Sequence, residues 1–215
     1  MWYFVKTPWW LRKLYANCIW QMPGDEKFIY LSFDDGPHPL ITPFVLDTLA
    51  QYNAKATFFC IGKNVVEQSA VYKRIIEEGH AVGNHTFNHL NGWHTNDAVY
   101  LDNIKAAKKY IDAPLFRPPY GRITPFQLKM LATDPYKLCT IMWTVLSGDF
   151  DQNLAKEKCL KYVLTKTKRG SIVVFHDSEK AFEKLKYALP KVLEHFTLNG
   201  YQFKKISLLH NEKLK

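Results

Sequence analysis

The sequence predicts an α/β fold in which about seven parallel strands close, or nearly close, into a barrel. Two observations carry this prediction. From residue 28 onward, short apolar runs alternate with amphipathic segments of about 10–15 residues, the pattern of repeated β-α units. The polar residues most out of keeping with their surroundings also fall just after predicted strands: Asp34 and Asp35, residues 84–89, residues 117–120, Asp149, and His176 with Asp177. In a parallel barrel those strand ends open on one face, where side chains distant in sequence converge.

Taken in order, Phe-Ile-Tyr-Leu-Ser-Phe at 28–33 reads as a buried strand, ended by Asp34-Asp35-Gly36-Pro37. A helix over 42–52 follows, with Thr42 placed as its N-cap and Pro43 at its first position. A strand at 56–61 leads to a helix over 65–78 stopped by Gly79, then to a short strand at 80–83. A helix over 97–111, a strand at 115–117, a helix over 125–132 and a strand at 138–143 come next. The chain continues with a helix over 155–168, the strongly apolar strand 171–175, a helix over 179–198 and a last strand at 201–206. No G-x-G-x-x-G or phosphate-loop motif supports a nucleotide-binding sheet, and no internal repeat is visible.

Length and composition suit one domain, residues 28–215, with an aromatic and basic extension over residues 1–27 that packs on it. Apolar residues make up 47% of the chain and charged residues 23%. A chain of this size buries roughly 70% of its unfolded surface, so no disulfide staple is required. Cys18, Cys60, Cys139 and Cys159 form no C-x-x-C pair, which argues against zinc-finger or thioredoxin-like chemistry. The net charge of +9 is spread along the chain rather than gathered in a stripe with stacking aromatics, so no nucleic-acid partner is expected. Lys6, Arg12 and Lys13 interrupt the first apolar run, so no signal-peptide core is recognised. That leaves the compartment open between the cytoplasm and a non-standard export route. No stretch is long and apolar enough for a transmembrane helix. Trp9, Trp10, Leu14, Tyr15 and Cys18 recur at near-helical spacing. We expect that segment to pack across one end of the domain, with weak peripheral membrane contact as the alternative. A monomer is expected.

The chemistry begins with His85-Thr-Phe-Asn-His89. On a helical turn, residues four apart share one face, so both imidazoles reach one ion. Asp34 or Asp35 can supply a third ligand. Two imidazoles and one carboxylate leave positions open for water and substrate, as in a catalytic rather than a structural site. Neighbours in a strand point to opposite faces, so a sharp turn is needed before both carboxylates can serve one site, and Gly36-Pro37 is placed to make it. The pair can then divide labour, one binding metal and the other taking a proton. An acidic turn with Asp35 capping a helix is the structural alternative.

Ser32-Phe-Asp-Asp-Gly36, His85-Thr-Phe-Asn-His89, Arg117-Pro-Pro-Tyr120 and Val174-Phe-His176 together closely resemble the polysaccharide deacetylases of carbohydrate esterase family four, the NodB-homology domain. The resemblance covers roughly residues 28–207. It implies a distorted (β/α) barrel and hydrolysis of N-acetyl groups on an amino-sugar polymer or oligomer, such as peptidoglycan or chitin oligomers. It also implies one divalent ion, most often Zn2+ with Co2+, Ni2+ or Mn2+ as alternatives, bound by Asp35, His85 and His89. By the same likeness Asp34 is the general base and His176 protonates the departing amine. Arg117 orients a catalytic carboxylate, and a backbone N–H near Tyr120 helps hold the oxyanion.

The departures lie in the fourth motif. The family usually shows an Asp, two residues and then Asp-Trp, whereas this chain has Leu146-Ser-Gly-Asp149-Phe150. Asp149 is therefore the acidic residue left to support the site from that loop, as a partner of His176 in preference to Arg117, with Asp177 as a substitute partner. Val174 stands for the usual Leu, a mild change of volume. His80 reads as a packed residue, His38 and His94 as open between substrate contact and surface, and His195 and His210 as surface. Two other readings compete: a glycan-binding relative without turnover, and a non-haem iron oxygenase, which also uses two histidines and a carboxylate.

Overall fold

The computed structural model describes residues 3–208. In chain order the first elements are helix α1 (Trp9–Leu14), strand β1 (Phe28–Asp34), helix α2 (Ile41–Gln51), strand β2 (Thr57–Cys60), helices α3 (Gly62–Glu67) and α4 (Ser69–Glu77), and strand β3 (Ala81–Asn84). Helix α5 (Asp97–Lys108), strand β4 (Leu115–Phe116), helix α6 (Pro125–Leu131), and strands β5 (Cys139–Thr140) and β6 (Val145–Leu146) follow. Helix α7 (Lys156–Lys166), strand β7 (Ile172–His176), helix α8 (Phe182–Leu198) and strand β8 (Gln202–Phe203) complete the order.

Seven strands run parallel in the order β5-β4-β3-β2-β1-β7-β6, and β8 adds to the first residues of β1. The sheet curls as a distorted barrel, the architecture the sequence predicts. Apolar residues on both faces of β1 suit a strand inside the sheet, between β2 and β7. Ile29, Leu31 and Phe33 pack into the layer shared with the helices, and Tyr30 belongs to a separate interior cluster with Phe59, Leu115, Ile141 and Ile172. Phe33 stacks on Phe58 of β2 and Phe175 of β7, at 5.1 and 6.2 Å between ring centroids, which knits three strands at one level. Burying one such ring stabilises by roughly 1.5–3 kcal/mol.

Several boundaries differ from the sequence prediction, each for a local reason. Thr42 does not cap α2; its hydroxyl accepts from the His38 N–H and donates to Asp177, and the cap position falls on Leu40. His38 Nδ1 instead accepts from the Leu40 and Ile41 N–H groups, 3.2 and 3.3 Å away. The helix expected over 65–78 is two helices, broken at Gln68 (φ −122°, ψ 45°). The strand expected over 138–143 shrinks to Cys139–Thr140, and Val145–Leu146 forms a further strand beside β7. Helix α6 carries a full capping box, in which Thr124 and Gln127 exchange side-chain and backbone bonds.

The outer strands β5 and β6 are both covered by the N-terminal segment. On one side Ile19 N–H donates to Thr140 and its carbonyl accepts from Met142. On the other, Thr7 N–H donates to Thr144, and Val5 accepts from Leu146. Between those anchors α1 buries no residue: Leu11 and Tyr15 lean on the core while Trp9, Trp10 and Leu14 face outward. No described helix is long and apolar enough to cross a membrane.

Candidate active site

Asp34 ends β1, with its Cα paired to that of His176 at the end of β7. Asp34 lies on the same strand face as Ser32, and both accept from one nitrogen of Arg117, each at 2.7 Å. The guanidinium is wholly buried. Its other N–H groups donate to the Ile141 and Met142 carbonyls at 3.1 and 3.2 Å, and it lies 4.0 Å over the Phe59 ring. Burial pulls the Arg117 pKa down, and the Asp34 charge works against that. The pair is held on several sides, the condition under which a buried ion pair is tolerated.

The turn that brings both carboxylates to one site is made at Asp35 itself, which sits at φ 83°. Asp tolerates this left-handed backbone better than most residues. Asp177 braces the turn by accepting from Gly36 N–H at 2.9 Å and from the Thr42 hydroxyl at 2.5 Å. A side chain on Gly36 would collide with the Asp177 carboxylate, its Cβ only 2.0 Å from an oxygen. Burial pushes the Asp177 carboxyl up to about 7, against those two hydrogen bonds. Asp177 is therefore a support of the acidic turn and not a partner of His176, a role with no signal in the local sequence.

His85 and His89 converge without a helix. Both lie in the loop after β3, and the chain passes through the left-handed region at Thr86 (φ 63°) and His89 (φ 57°) to aim them together. The helical-turn expectation fails because Asn84 and Thr86 divert the backbone: Asn84 accepts from the Thr86 N–H, and the Thr86 hydroxyl accepts from Leu90. His85 Nδ1 lies 2.7 Å from the Arg117 carbonyl oxygen, which can only accept, so Nδ1 carries the proton and Nε2 is left with a lone pair. Ligand atoms of Asp35, His85 and His89 all lie within 4.8 Å of one another. His85 is pushed down to about 4 by burial, so its imidazole is neutral near pH 7. Burial opposes charge on Asp35, yet its contact with His89 and the neighbouring imidazoles hold it well below the usual carboxylate range. A neutral His85 imidazole beside an ionised Asp35 carboxylate gives protonation states that a divalent cation requires.

Asp149 is fully buried and devotes one oxygen to the His176 N–H at 2.7 Å and the other to its Nδ1 at 2.8 Å. Burial disfavours a charged imidazole, but the Asp149 carboxylate outweighs it and pushes His176 up to about 9. Tyr120 stands at φ 60°, half exposed, its ring 4.7 Å from that of His89. Ser178 also reaches the site, its hydroxyl 3.2 Å from Asp35. Outside the site, His80 is packed and accepts from the Ala56 N–H, and His94 and His195 are exposed. His210 lies outside the described residues.

Known proteins similar to this chain place it in a family. The polysaccharide deacetylase family model matches residues 21–138. A peptidoglycan-N-acetylglucosamine deacetylase of Bacillus cereus is 38% identical over 196 residues, 88% of this chain and 91% of its own. A chitooligosaccharide deacetylase of Bradyrhizobium is 35% identical over 159 residues, 70% of this chain and 71% of its own. Among solved structures, the Bc1960 peptidoglycan N-acetylglucosamine deacetylase superposes with a TM-score of 0.84 at 30% identity, covering 93% of this chain and 95% of its own. With the family match spanning more than half the chain and the strand-end residues assembled as above, this chain belongs to the polysaccharide deacetylase family.

Proposed function

We propose that the protein hydrolyses the N-acetyl amide of an amino-sugar polymer or oligomer, releasing acetate and leaving a free amine. The supporting observation is the convergence of three ligand atoms within 4.8 Å beside an Asp–Arg pair and a His–Asp pair, all at strand ends of one face. Asp35, His85 and His89 would hold the metal, and their mixed nitrogen and oxygen donors suit Zn2+ best, with Co2+, Ni2+ and Mn2+ also accommodated. When bound, such an ion supplies Lewis acidity toward the amide carbonyl and makes a neighbouring water more acidic.

The chain's own residues do the rest. Asp34 takes the proton of the attacking water, and Arg117 holds it in place through one oxygen. A backbone N–H at the Tyr120 turn donates to the carbonyl oxygen as charge builds there. His176 gives its proton to the leaving nitrogen. Asp149 occupies Nδ1, so Nε2 is the nitrogen that delivers it. The relatives' names share the N-acetylated amino sugar, which is the substrate class proposed here.

Acetate release from peptidoglycan and from chitin oligomers, measured before and after chelation and after Zn2+ is restored, tests the proposal. We expect release from at least one substrate, abolished by chelation and recovered with metal. A metal-loaded protein that binds these glycans but releases no acetate would support the non-catalytic reading instead.

A further inference from the structure

The loop on the acid side of the site is contacted by a residue near the start of the chain. Asp149, which holds His176, lies in the 147–151 loop that leaves β6. Strand β6 is only two residues long and lies at the edge of the sheet. The segment at residues 5–7 runs antiparallel along it, with Lys6 bridging Val145, and continues backward to place Tyr3 on that loop.

Tyr3 touches the loop on both sides of Asp149. Its hydroxyl donates to Asp151 at 2.9 Å. Its ring meets Phe150 edge to face with centroids 5.1 Å apart, and Phe150 meets the His176 ring the same way at 5.2 Å. Gly148 (φ 77°) packs so close that a Cβ there would stand 2.9 Å from the Tyr3 hydroxyl oxygen. Three residues flanking Asp149 thus lean on one side chain, and the aromatic contacts run unbroken from Tyr3 to the imidazole. Phe150 stands where the family usually has Trp. The smaller ring is backed here by a second one from the N-terminal segment.

We propose that Tyr3 is a positioning residue of the active site: by clasping the 147–151 loop through Phe150 and Asp151, it holds Asp149 and the His176 ring in the orientation for proton delivery to the leaving amine. This rests on the reading of His176 as the acid. Tyr3 itself touches no reacting atom. A misplacement of a catalytic group by about 1 Å costs up to about 100-fold in rate, so looseness in this loop is enough to matter.

The test compares two leaving groups on the metal-loaded full chain. An N-acetyl amide needs its nitrogen protonated to depart, whereas 4-nitrophenyl acetate releases a stable phenolate without an acid. We expect Tyr3→Ala to lower kcat on N-acetylglucosamine oligomers roughly 10- to 100-fold with KM changed less than about twofold, while the ester rate stays within about twofold. Tyr3→Phe, which keeps the ring stack and loses the Asp151 bond, should fall between, and it serves if Tyr3→Ala does not fold. The downfield proton resonance of His176 Nδ1–H should weaken or shift in both variants, and bound metal should be unchanged. Equal losses on amide and ester, or none on either, would overturn the proposal. His176→Ala separates the two readings. If it loses amide turnover selectively and the Tyr3 variants do not, only the role of Tyr3 fails. If it lowers both rates equally, the acid assignment itself fails and this inference with it.

Discussion

Asp34 ends, and His85 and Arg117 follow, strands paired on both sides: β1 between β2 and β7, β3 between β2 and β4, and β4 between β3 and β5. Asp149 follows β6, a two-residue edge strand whose outer side is covered by the N-terminal segment. The first half of the site inherits its geometry from ladder register: Asp34 lies opposite His176, and Asn84 opposite Phe116, one residue short of Arg117. The second half is set by contacts between residues more than 130 positions apart, such as Thr7 with Trp143 and Tyr3 with Asp151. A site built this way has its metal ligands, its base and the backbone of His176 set by the sheet, and only Asp149, the partner that orients the His176 ring, set by the non-local clasp.

The contrast is sharpest at Arg117. Its removal leaves the Asp34 carboxylate and two backbone carbonyls without their donor in a place water does not reach. Arg117→Ala should destabilise by about 3–5 kcal/mol, measured by denaturant unfolding. A loss below about 1 kcal/mol would mean that the central half is looser than its packing indicates. Asp34→Asn keeps the shape of the side chain and an acceptor oxygen for Arg117 while removing the carboxylate charge, and its largest expected effect is on turnover. We expect it to retain metal and lose roughly 100-fold or more in rate, close to 2.7 kcal/mol of barrier. In parallel, His85→Ala or His89→Ala should lose the metal by elemental analysis. If Asp34→Asn loses its metal and Asp35→Asn keeps it, the two carboxylates exchange roles.

On the acid side the expected effect is smaller and depends on pH. The folded-state pKa of His176 is raised from 6.5 to about 9. Folding therefore favours its protonated form. That contribution to stability is complete below about pH 6.5 and is lost as the pH rises through about 9. The same shift keeps the acid charged across neutral pH, so the alkaline limb of the rate profile should lie near 9. Asp149→Asn removes the carboxylate charge, which should move that limb to lower pH and cost roughly tenfold near neutrality, with metal content unchanged. A fall of equal size at every pH, with the limb in place, would mean that Asp149 positions the ring without tuning it.

What was legible in the sequence follows the same division. Asp35, His85 and His89 stand in short contiguous motifs at strand ends, and the apolar runs at 28–33 and 171–175 are strong enough to be read as buried strands. The family resemblance implies that Arg117 orients a catalytic carboxylate without saying which, and Asp149 is expected beside His176 in preference to Arg117; the structure pairs Arg117 with Asp34 and Asp149 with His176. The path of the chain between motifs could not. The left-handed residues Asp35, Thr86, His89 and Tyr120 obey tertiary demands that periodicity does not register, so an imidazole pair expected on a helical turn lies on a loop. Thr42 has the sequence of a helix cap but serves Asp177, which lies 135 residues away. Two-residue strands such as β6 hold no period to detect, and the chain that covers them comes from the far N-terminus.

The smallest expected effect lies within that N-terminal segment, where the residues with the strongest hydrophobic signal are not the ones that hold it. The expectation of a segment packed across one end of the domain rests on Trp9, Trp10, Leu14, Tyr15 and Cys18; Cys18 is buried and Tyr15 leans on the core, whereas Trp9 and Trp10 are 68% and 49% exposed. The segment is fastened on either side of them, by Val5 and Thr7 against β6 and by Ile19 against residues 140–142. The tryptophans' own contacts are peripheral: Phe4 meets Trp10 edge-on at 6.2 Å, and the Lys13 ammonium lies 5.1 Å over Trp9. Each such contact at an exposed site is worth about 0.5–1 kcal/mol, and truncation frees side-chain entropy that offsets part of it. Trp9→Ala and Trp10→Ala should each change unfolding free energy by no more than about 0.5 kcal/mol, the ordinary range for surface positions. They should leave acetate release untouched, because neither residue lies between the two anchors and the 147–151 loop. A loss of 2 kcal/mol or more from either would place the stability of the segment in α1 after all, and the clasp on β6 would then depend on the helix rather than on the strand-like flanks.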